Sequence, residues 1–372
     1  MASKIIYPGV VDDPVENELL LARADMAASP RNTSNKDIGA LGDPLGRGDI
    51  EIWFQVILAV LICLTSFLGN SLVIYTIHKD TRLNTITNVL IENLAYSDIF
   101  MAIFHMPFWI VSLRFGKWVF GDMACEVAGV TQLIFGIVSL LTMTAIAINR
   151  YLKVCRPHLY TKFFSNRKAT YRIVFCCWIL SIALNTPQLY GWGNIAFHKF
   201  FTDCTCEWAN PDISYIIFLV AMTIFTPATI IFGCYYVIYK TVRASARRVQ
   251  GHFDLPNLGK SEDKSDAKVL KTSLVVVCVY IACWTPLSVI GFMEVFGSQS
   301  PRLAYFISYV GAYCSSMTNP FIYGIMNPQF KRAFSTILRL REDSRHGRLS
   351  GLPRNRESNS QMQVISTQGI NQ

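Results

Sequence analysis

The chain has 372 residues, 52% hydrophobic and only 16% charged, with 34 Lys and Arg against 25 Asp and Glu for a net charge of +9. A soluble domain carries roughly 25% charged residues, so the deficit points to helices that face lipid. The 11 cysteines show neither a recurring metal-ligand spacing nor a small disulfide scaffold, and most sit in apolar runs, where cysteine acts as a small hydrophobe.

Residues 1–50 contain no signal-peptide core, because Asp12, Asp13, Glu16, Glu18, Arg23 and Asp25 interrupt every short apolar run. This composition predicts a disordered tail, with a glycosylation acceptor at Asn32, Thr33 and Ser34 if the tail is extracellular.

Seven apolar segments follow, near Ile52 to Ile77, Val89 to Leu113, Cys125 to Tyr151, Tyr171 to Leu189, Ser214 to Tyr239, Lys268 to Val295 and Leu303 to Met326. Each is close to the ~20 residues that a helix needs to cross a bilayer. Only helices and closed barrels satisfy their own backbone in lipid, so the reading is an all-α membrane protein spanning residues 51–327. Basic residues cluster after segments one, three and five, at His78, Lys79 and Arg82, then Lys153 to Arg172, then Lys240 to Lys268. The positive-inside rule therefore places the amino terminus outside and the carboxyl terminus inside. The surplus positive charge is then a topology signal, and no nucleic-acid partner is expected.

Polar side chains inside the spans are costly, and function is expected at them. They include Asn70 beside Gly69, Asn93 and Asp98, Ser139, then Ser315, Ser316 and Asn319. Asp98 is the leading candidate, because a lone buried carboxylate stays charged only beside a cation and oxygen ligands such as Ser139 and Asn319. Pro286, after Trp284, and Pro320, before Tyr323, each remove a helical hydrogen bond and mark candidate hinges.

In this order, Gly69 with Asn70, Leu94 to Asp98, Asn149 to Tyr151, Trp178, Pro227, Cys283 to Pro286 and Asn319 to Tyr323 resemble the motifs of rhodopsin-like (class A) G-protein-coupled receptors. The runs around Asn149 and Cys283 are most similar to melatonin-receptor-like and related orphan receptors. The resemblance implies a seven-transmembrane helix bundle with a short amphipathic eighth helix, no enzyme activity, and a plasma-membrane receptor with its amino terminus outside. It implies a disulfide from Cys125 to the second extracellular loop, which offers both Cys204 and Cys206. Asp98, Ser139 and Asn319 resemble the family's allosteric sodium site, the only cofactor expected. Arg150 resembles the arginine that meets a heterotrimeric G protein, with Tyr235 and Tyr323 as the tyrosines stabilising the open form.

Two departures from the family pattern matter. Asn149 replaces the usual acidic residue, so Arg150 lacks its neighbouring carboxylate, and Asp266 is the alternative partner expected. On that reading Asp266→Asn raises ligand-independent signalling, and unchanged basal activity removes the contact from the account. No lysine lies between Lys271 and Lys331, and Tyr313 stands where opsins carry the lysine of the retinal Schiff base. An opsin-like photoreceptor, like a membrane transporter, is therefore the alternative reading rather than the main one.

The implied ligand pocket comprises His105, Gln132, Leu133, Gly136, Leu219 and Thr223, together with Leu287, Ser288, Gly291, Tyr305, Tyr309 and Tyr313. Gln132 replaces the aspartate of amine receptors, so a cation finds no counter-ion there. The lining suits a neutral or weakly polar small molecule or lipid. Thr223 and Gln188 also replace a histidine and an asparagine of melatonin receptors, which withholds that ligand.

After the spans, residues 328–340 place Phe330, Phe334, Ile337 and Leu338 on one helical face beside Lys331, Arg332 and Arg339, predicting an amphipathic helix on membrane lipids. Residues 341–372 are polar and read as a disordered cytoplasmic tail, whose serines are candidate phosphorylation sites for an arrestin partner.

Overall fold

The computed structural model describes residues 43–207, 212–250 and 260–337, of which 246–250 and 260–269 are described as backbone only. Asn32, Leu338, Arg339 and the carboxyl-terminal tail lie outside the described residues, as does the side chain of Asp266.

Six helices among the described residues are long and apolar enough to cross a membrane: Asp49–Lys79, Ile86–Phe115, Asp122–Cys155, Arg167–Tyr190, Ile213–Ser245 and Leu270–Val295. The seventh span, Arg302–Met326, is a helix of 25 residues whose inner face carries Tyr305, Ser308, Tyr309, Tyr313, Ser315 and Asn319, all buried. These polar groups lower its apolarity and are tolerated because the bundle, not lipid, receives them. All seven expected segments are thus helical, and most run a few residues past the apolar stretch.

The third span is the axis of the bundle. Its contacts reach the second, fourth, fifth and sixth spans. Of its apolar stretch 67% is buried, against 22% for the fourth span and 28% for the first. On the first span Trp53, Phe54, Ile57, Leu61 and Leu64 stay exposed, as a helix face turned to hydrocarbon requires.

Three local irregularities shape the interior. The second span is interrupted at His105, which ends the helix Ile86–Phe104 at φ −123° and ψ −52°; a new helix, Met106–Phe115, begins with a proline in its first turn. The fifth span passes through a π-helical turn at Ala221–Phe225, just before Pro227, a distortion common beside functional sites. Pro286 and Pro320 lie inside the sixth and seventh helices.

The loop between the fourth and fifth spans contains structure that the sequence reading did not anticipate. Strands β1, Ile195–His198, and β2, Asp203–Cys206, form an antiparallel hairpin with Ile195 opposite Cys206 and Phe197 opposite Cys204. The disulfide joins Cys125 to Cys204 and settles the open choice of partner. The hairpin lies directly on the third span at Gly129, where a Cβ would stand 2.5 Å from Ile195 and 3.2 Å from the Cys204 carbonyl oxygen. Cys206 is left as a buried free thiol, and burial pushes it up to about 12. It is inert as a nucleophile at neutral pH.

After the seventh span residues 328–337 form the short eighth helix. Phe330 is fully buried and stacks on Tyr323 with ring centroids 5.5 Å apart, so the helix is fixed to the seventh span as well as suited to lipid.

Candidate functional site

The outer half of the bundle closes over a buried polar cluster. The break at His105 turns its ring inward, where it is 0% exposed. Its Nδ1 lies 3.0 Å from the Ala128 carbonyl oxygen, and because a carbonyl only accepts, Nδ1 carries a proton. Its Nε2 lies 2.9 Å from Asp203 Oδ2 and 2.8 Å from the Tyr313 hydroxyl. Tyr313 donates to Asp203 Oδ2 at 3.0 Å, while Gln132 donates to the Tyr313 oxygen at 3.1 Å. Asp203 Oδ2 accepts from Tyr313 and shares a proton with Nε2. Without a proton between them, Nε2 and Oδ2 would present lone pairs to each other. Four elements, the second, third and seventh spans and the hairpin, converge here.

The hairpin reaches this depth through a strained tip. Thr202 has φ +53°, a left-handed conformation that a β-branched residue adopts at a cost of about 1–2 kcal/mol. The turn drives Phe201 into the bundle, 1% exposed, with its ring 4.9 Å from both Tyr305 and Tyr309 and its carbonyl accepting from Trp109 at 3.3 Å. A second tie joins the hairpin to the sixth span, where His198 Nε2 lies 2.8 Å from Glu294 Oε2. His198 Nδ1 accepts from the Phe201 N–H at 3.2 Å, so the ring is neutral with its proton on Nε2. Tyr305 donates to the same glutamate through a short hydrogen bond.

The expected pocket residues are therefore only partly together. His105, Gln132 and Tyr313 share one hydrogen-bonded cluster, with Tyr309 and Tyr305 beside it in the aromatic layer. Leu219 packs instead with Ile137, Leu184 and Tyr215, and Thr223 bonds only its own helix at the Leu219 carbonyl. Ser288 likewise bonds the Trp284 carbonyl. Leu287 is half-buried against the outer core, Leu133 is half-buried and Gly291 is buried. Asp203 and His198 were missed because no periodicity marks loop residues that fold inward, and Glu294 because it lies at the very end of the sixth span. The available signal was an acid beside a cysteine, Asp203 and Cys204, in a loop otherwise aromatic at Phe200 and Phe201.

Below this layer Trp284 covers Gly136, where a Cβ would stand 3.0 Å from the indole, and its Nε1 donates to Ser315 at 3.1 Å. One turn further in, the Tyr280 hydroxyl donates to the Gly136 carbonyl at 3.0 Å and ties the sixth span to the third. Asn319 donates to Asp98 at 2.8 Å, as expected of that pair. Ser139 does not take the expected place: its hydroxyl pairs with Ser97 at 3.0 Å and with the Phe135 carbonyl, and Ser316 stands within hydrogen-bonding reach of Asp98 instead. The oxygens gathered there are then the Asp98 carboxylate, the Ser316 hydroxyl and the amide oxygen of Asn319.

At the inner end Arg150 is 6% exposed beside Tyr235. Asn149 accepts from Thr87 at 3.1 Å, so where the family places an acid this chain ties the third span to the second with a neutral hydrogen bond. An apolar cleft lined by Ile91, Met143, Ile146, Val276, Val277 and Tyr323 opens between the second, third, sixth and seventh spans.

The order of spans, the disulfide and the inner motifs agree with a model of the seven-transmembrane receptors of the rhodopsin family, which matches residues 69–323, more than half of the chain. The chain belongs to that family. Its fold is similar to squid rhodopsin, with a TM-score of 0.69 and 26% identity over 79% of this chain and 87% of that one. Melanopsin from Phodopus sungorus is 30% identical over 75% of this chain and 61% of its own length. Melanopsin from Branchiostoma belcheri is 31% identical over 71% and 39%, and a Gq-coupled rhodopsin from Mizuhopecten yessoensis is 31% identical over 76% and 59%. The chain spans less than two thirds of the length of these two melanopsins and of the Gq-coupled rhodopsin. The expected nearness to melatonin-receptor-like proteins is not supported and gives way to an opsin-like one. Membership in this receptor family carries no enzyme activity.

Proposed function

We propose that the chain is an opsin-like G-protein-coupled receptor of the plasma membrane, its amino terminus outside, that activates a heterotrimeric G protein of the Gq class. Likeness to melanopsins and to a Gq-coupled rhodopsin supports the lineage and the partner. The observation that carries the mechanism is the hold of the sixth span on the third at one glycine: Trp284 covers Gly136, and Tyr280, stacked on Trp284, donates to the Gly136 carbonyl. A ligand shifts such a bundle only by its differential affinity for two helix arrangements, and the G protein gains from the same shift.

The stimulus does not arrive through a covalently bound retinal. Residues 272–330 contain no lysine, and at the place of the opsin lysine Tyr313 offers a hydroxyl already bonded to Asp203. A neutral or weakly polar small molecule or lipid, held without a covalent bond, fits this lining better. Photoreception is the second reading, favoured by the melanopsin likeness, and would require a retinoid held non-covalently. A sodium ion beside Asp98, Ser316 and Asn319, and arrestin bound to the phosphorylated tail, complete the proposal.

The test is inositol phosphate accumulation in cells expressing the full chain, in darkness and light, with and without 11-cis-retinal, and against neutral lipids and indoles. Signal above untransfected cells that is independent of light supports the reading. Flat responses at matched surface expression, basal included, sink it; a response needing light and retinal replaces it with the photoreceptor.

A further inference from the structure

The light-sensing relatives direct attention to a chromophore, yet the place for one is filled here by the chain itself. Phe201, Asp203 and Tyr313 are 1%, 0% and 2% exposed, and His105 is 0%. The Phe201 ring packs directly on Tyr305 and Tyr309, and Trp109 lies 4.6 Å from the Tyr313 ring, centroid to centroid. Every polar atom of the Asp203 carboxylate is engaged, Oδ2 by His105 and Tyr313 and Oδ1 by the Cys204 N–H at 2.9 Å. A carboxylate buried this far is held by partners that match it, and releasing it would strand His105 and Tyr313 without an acceptor. The strained φ of Thr202 lies between the two inserted residues, so the backbone is bent at the point of insertion. Strain of this kind persists only where the surroundings over-determine it.

We propose that the hairpin tip Phe201–Asp203 is a resident, self-supplied occupant of the ligand site, docked through Asp203 on His105 and Tyr313, and that the site consequently takes up no retinoid. This rests on the receptor reading above but adds to it a named occupant. The aromatic ring fills the apolar part of the cavity, and the carboxylate meets the hydroxyl that stands in place of the opsin amine. A ligand acting at this site must displace the tip or bind on top of it. Two anchors outside the cluster hold the tip at fixed length: the Cys125–Cys204 disulfide one residue away, and the His198 contact with Glu294. The tip therefore moves as a hinged plug rather than as a free loop.

The experiment is hydrogen–deuterium exchange on purified full-length receptor, read on peptides covering residues 199–206, with 11-cis-retinal present or absent. Absorbance and borohydride reduction report retinoid uptake in the same samples. The tip amides of the unliganded receptor should exchange slowly. Tyr313→Phe, which removes one hydroxyl and keeps the ring, should speed them about tenfold, and Asp203→Asn by more. Retinal should change neither the exchange nor the spectrum. If Asp203→Asn does not fold, Tyr313→Phe alone decides the question.

Fast exchange in the unmodified receptor overturns the proposal, as does tip exchange that Tyr313→Phe leaves unaltered. A bound retinoid band, or added protection on retinal binding, overturns it equally. Signalling enters neither readout, so failure of the Gq reading in cells and failure of the plug are separate results.

Discussion

The two ends of the bundle are held together by different chemistry. At the outer end a disulfide, a buried carboxylate, two histidines and a layer of tyrosines tie the hairpin to four of the spans. At the inner end an apolar cleft opens between the second, third, sixth and seventh spans, and the polar contacts beside it are separate pairs, such as Thr87 with Asn149 and His78 with Glu92, rather than one network. Directional, mutually dependent bonds resist gradual deformation, whereas apolar side chains repack at little cost. The outer end is therefore built to be fixed, and the inner end to move. The largest effect should come from breaking the fixed end. Cys204→Ser opens a loop closed over 79 residues, a constraint of about 4 kcal/mol on the chain-entropy model. It should remove most receptor from the cell surface, measured by antibody against an extracellular tag. Surface levels within twofold of the parent would show that the hydrogen bonds alone hold the hairpin.

The next effect lies at the boundary between the two ends. Tyr280 donates to a carbonyl of the third span, one turn below the place where Trp284 covers the same glycine. Tyr280→Phe keeps the ring and deletes one buried hydrogen bond, worth about 1 kcal/mol, or roughly a fivefold change in the balance of helix arrangements. If the bond restrains the sixth span, basal inositol phosphate per surface receptor should rise by about that factor. A fall would mean that Tyr280 supports the signalling arrangement instead.

A smaller effect should follow from Thr87→Ala. It removes the hydroxyl that Asn149 accepts from, and because that bond joins the third span to the second, its loss bears less directly on the sixth span than the loss of the Tyr280 bond. Basal signalling should change less than for Tyr280→Phe, and a larger change would move the restraint on Arg150 to this pair.

The legible part of this molecule was the part under strong one-dimensional constraint. Seven apolar stretches and the prolines within them are properties of contiguous residues, so the helices and their order followed from them. The Asp98 and Asn319 pair was legible because charged or amide groups within lipid are few. Ser139 was not, because a hydroxyl has several acceptors within reach, and here it turns to Ser97 and its own helix while Ser316 approaches Asp98. The choice between Cys204 and Cys206 lay in hairpin register, with Phe197 opposite Cys204. Asp203 stayed hidden for the same reason, since its inward direction depends on the left-handed turn at Thr202. Lineage and linkage chemistry are separate properties: the sequence relatives are opsins, and residues 272–330 of this chain still contain no lysine.

The smallest effect tests whether the fixed end responds to pH. His198 lies in the hairpin, and burial holds its ring below the ordinary value of 6.5, while the Glu294 carboxylate 2.8 Å away pulls in the opposite direction. The docked hairpin therefore binds fewer protons than the released one between that lowered value and 6.5. Docking is complete above pH 6.5 and weakens as the pH falls through this window. Because the glutamate offsets part of the burial, the change should be modest. Hydrogen exchange at residues 195–206, corrected for intrinsic rates, should accelerate slightly from pH 7 to pH 5.5, and His198→Gln, which cannot titrate, should flatten that dependence. Acceleration of equal size in His198→Gln would move the pH response to another group of the hairpin.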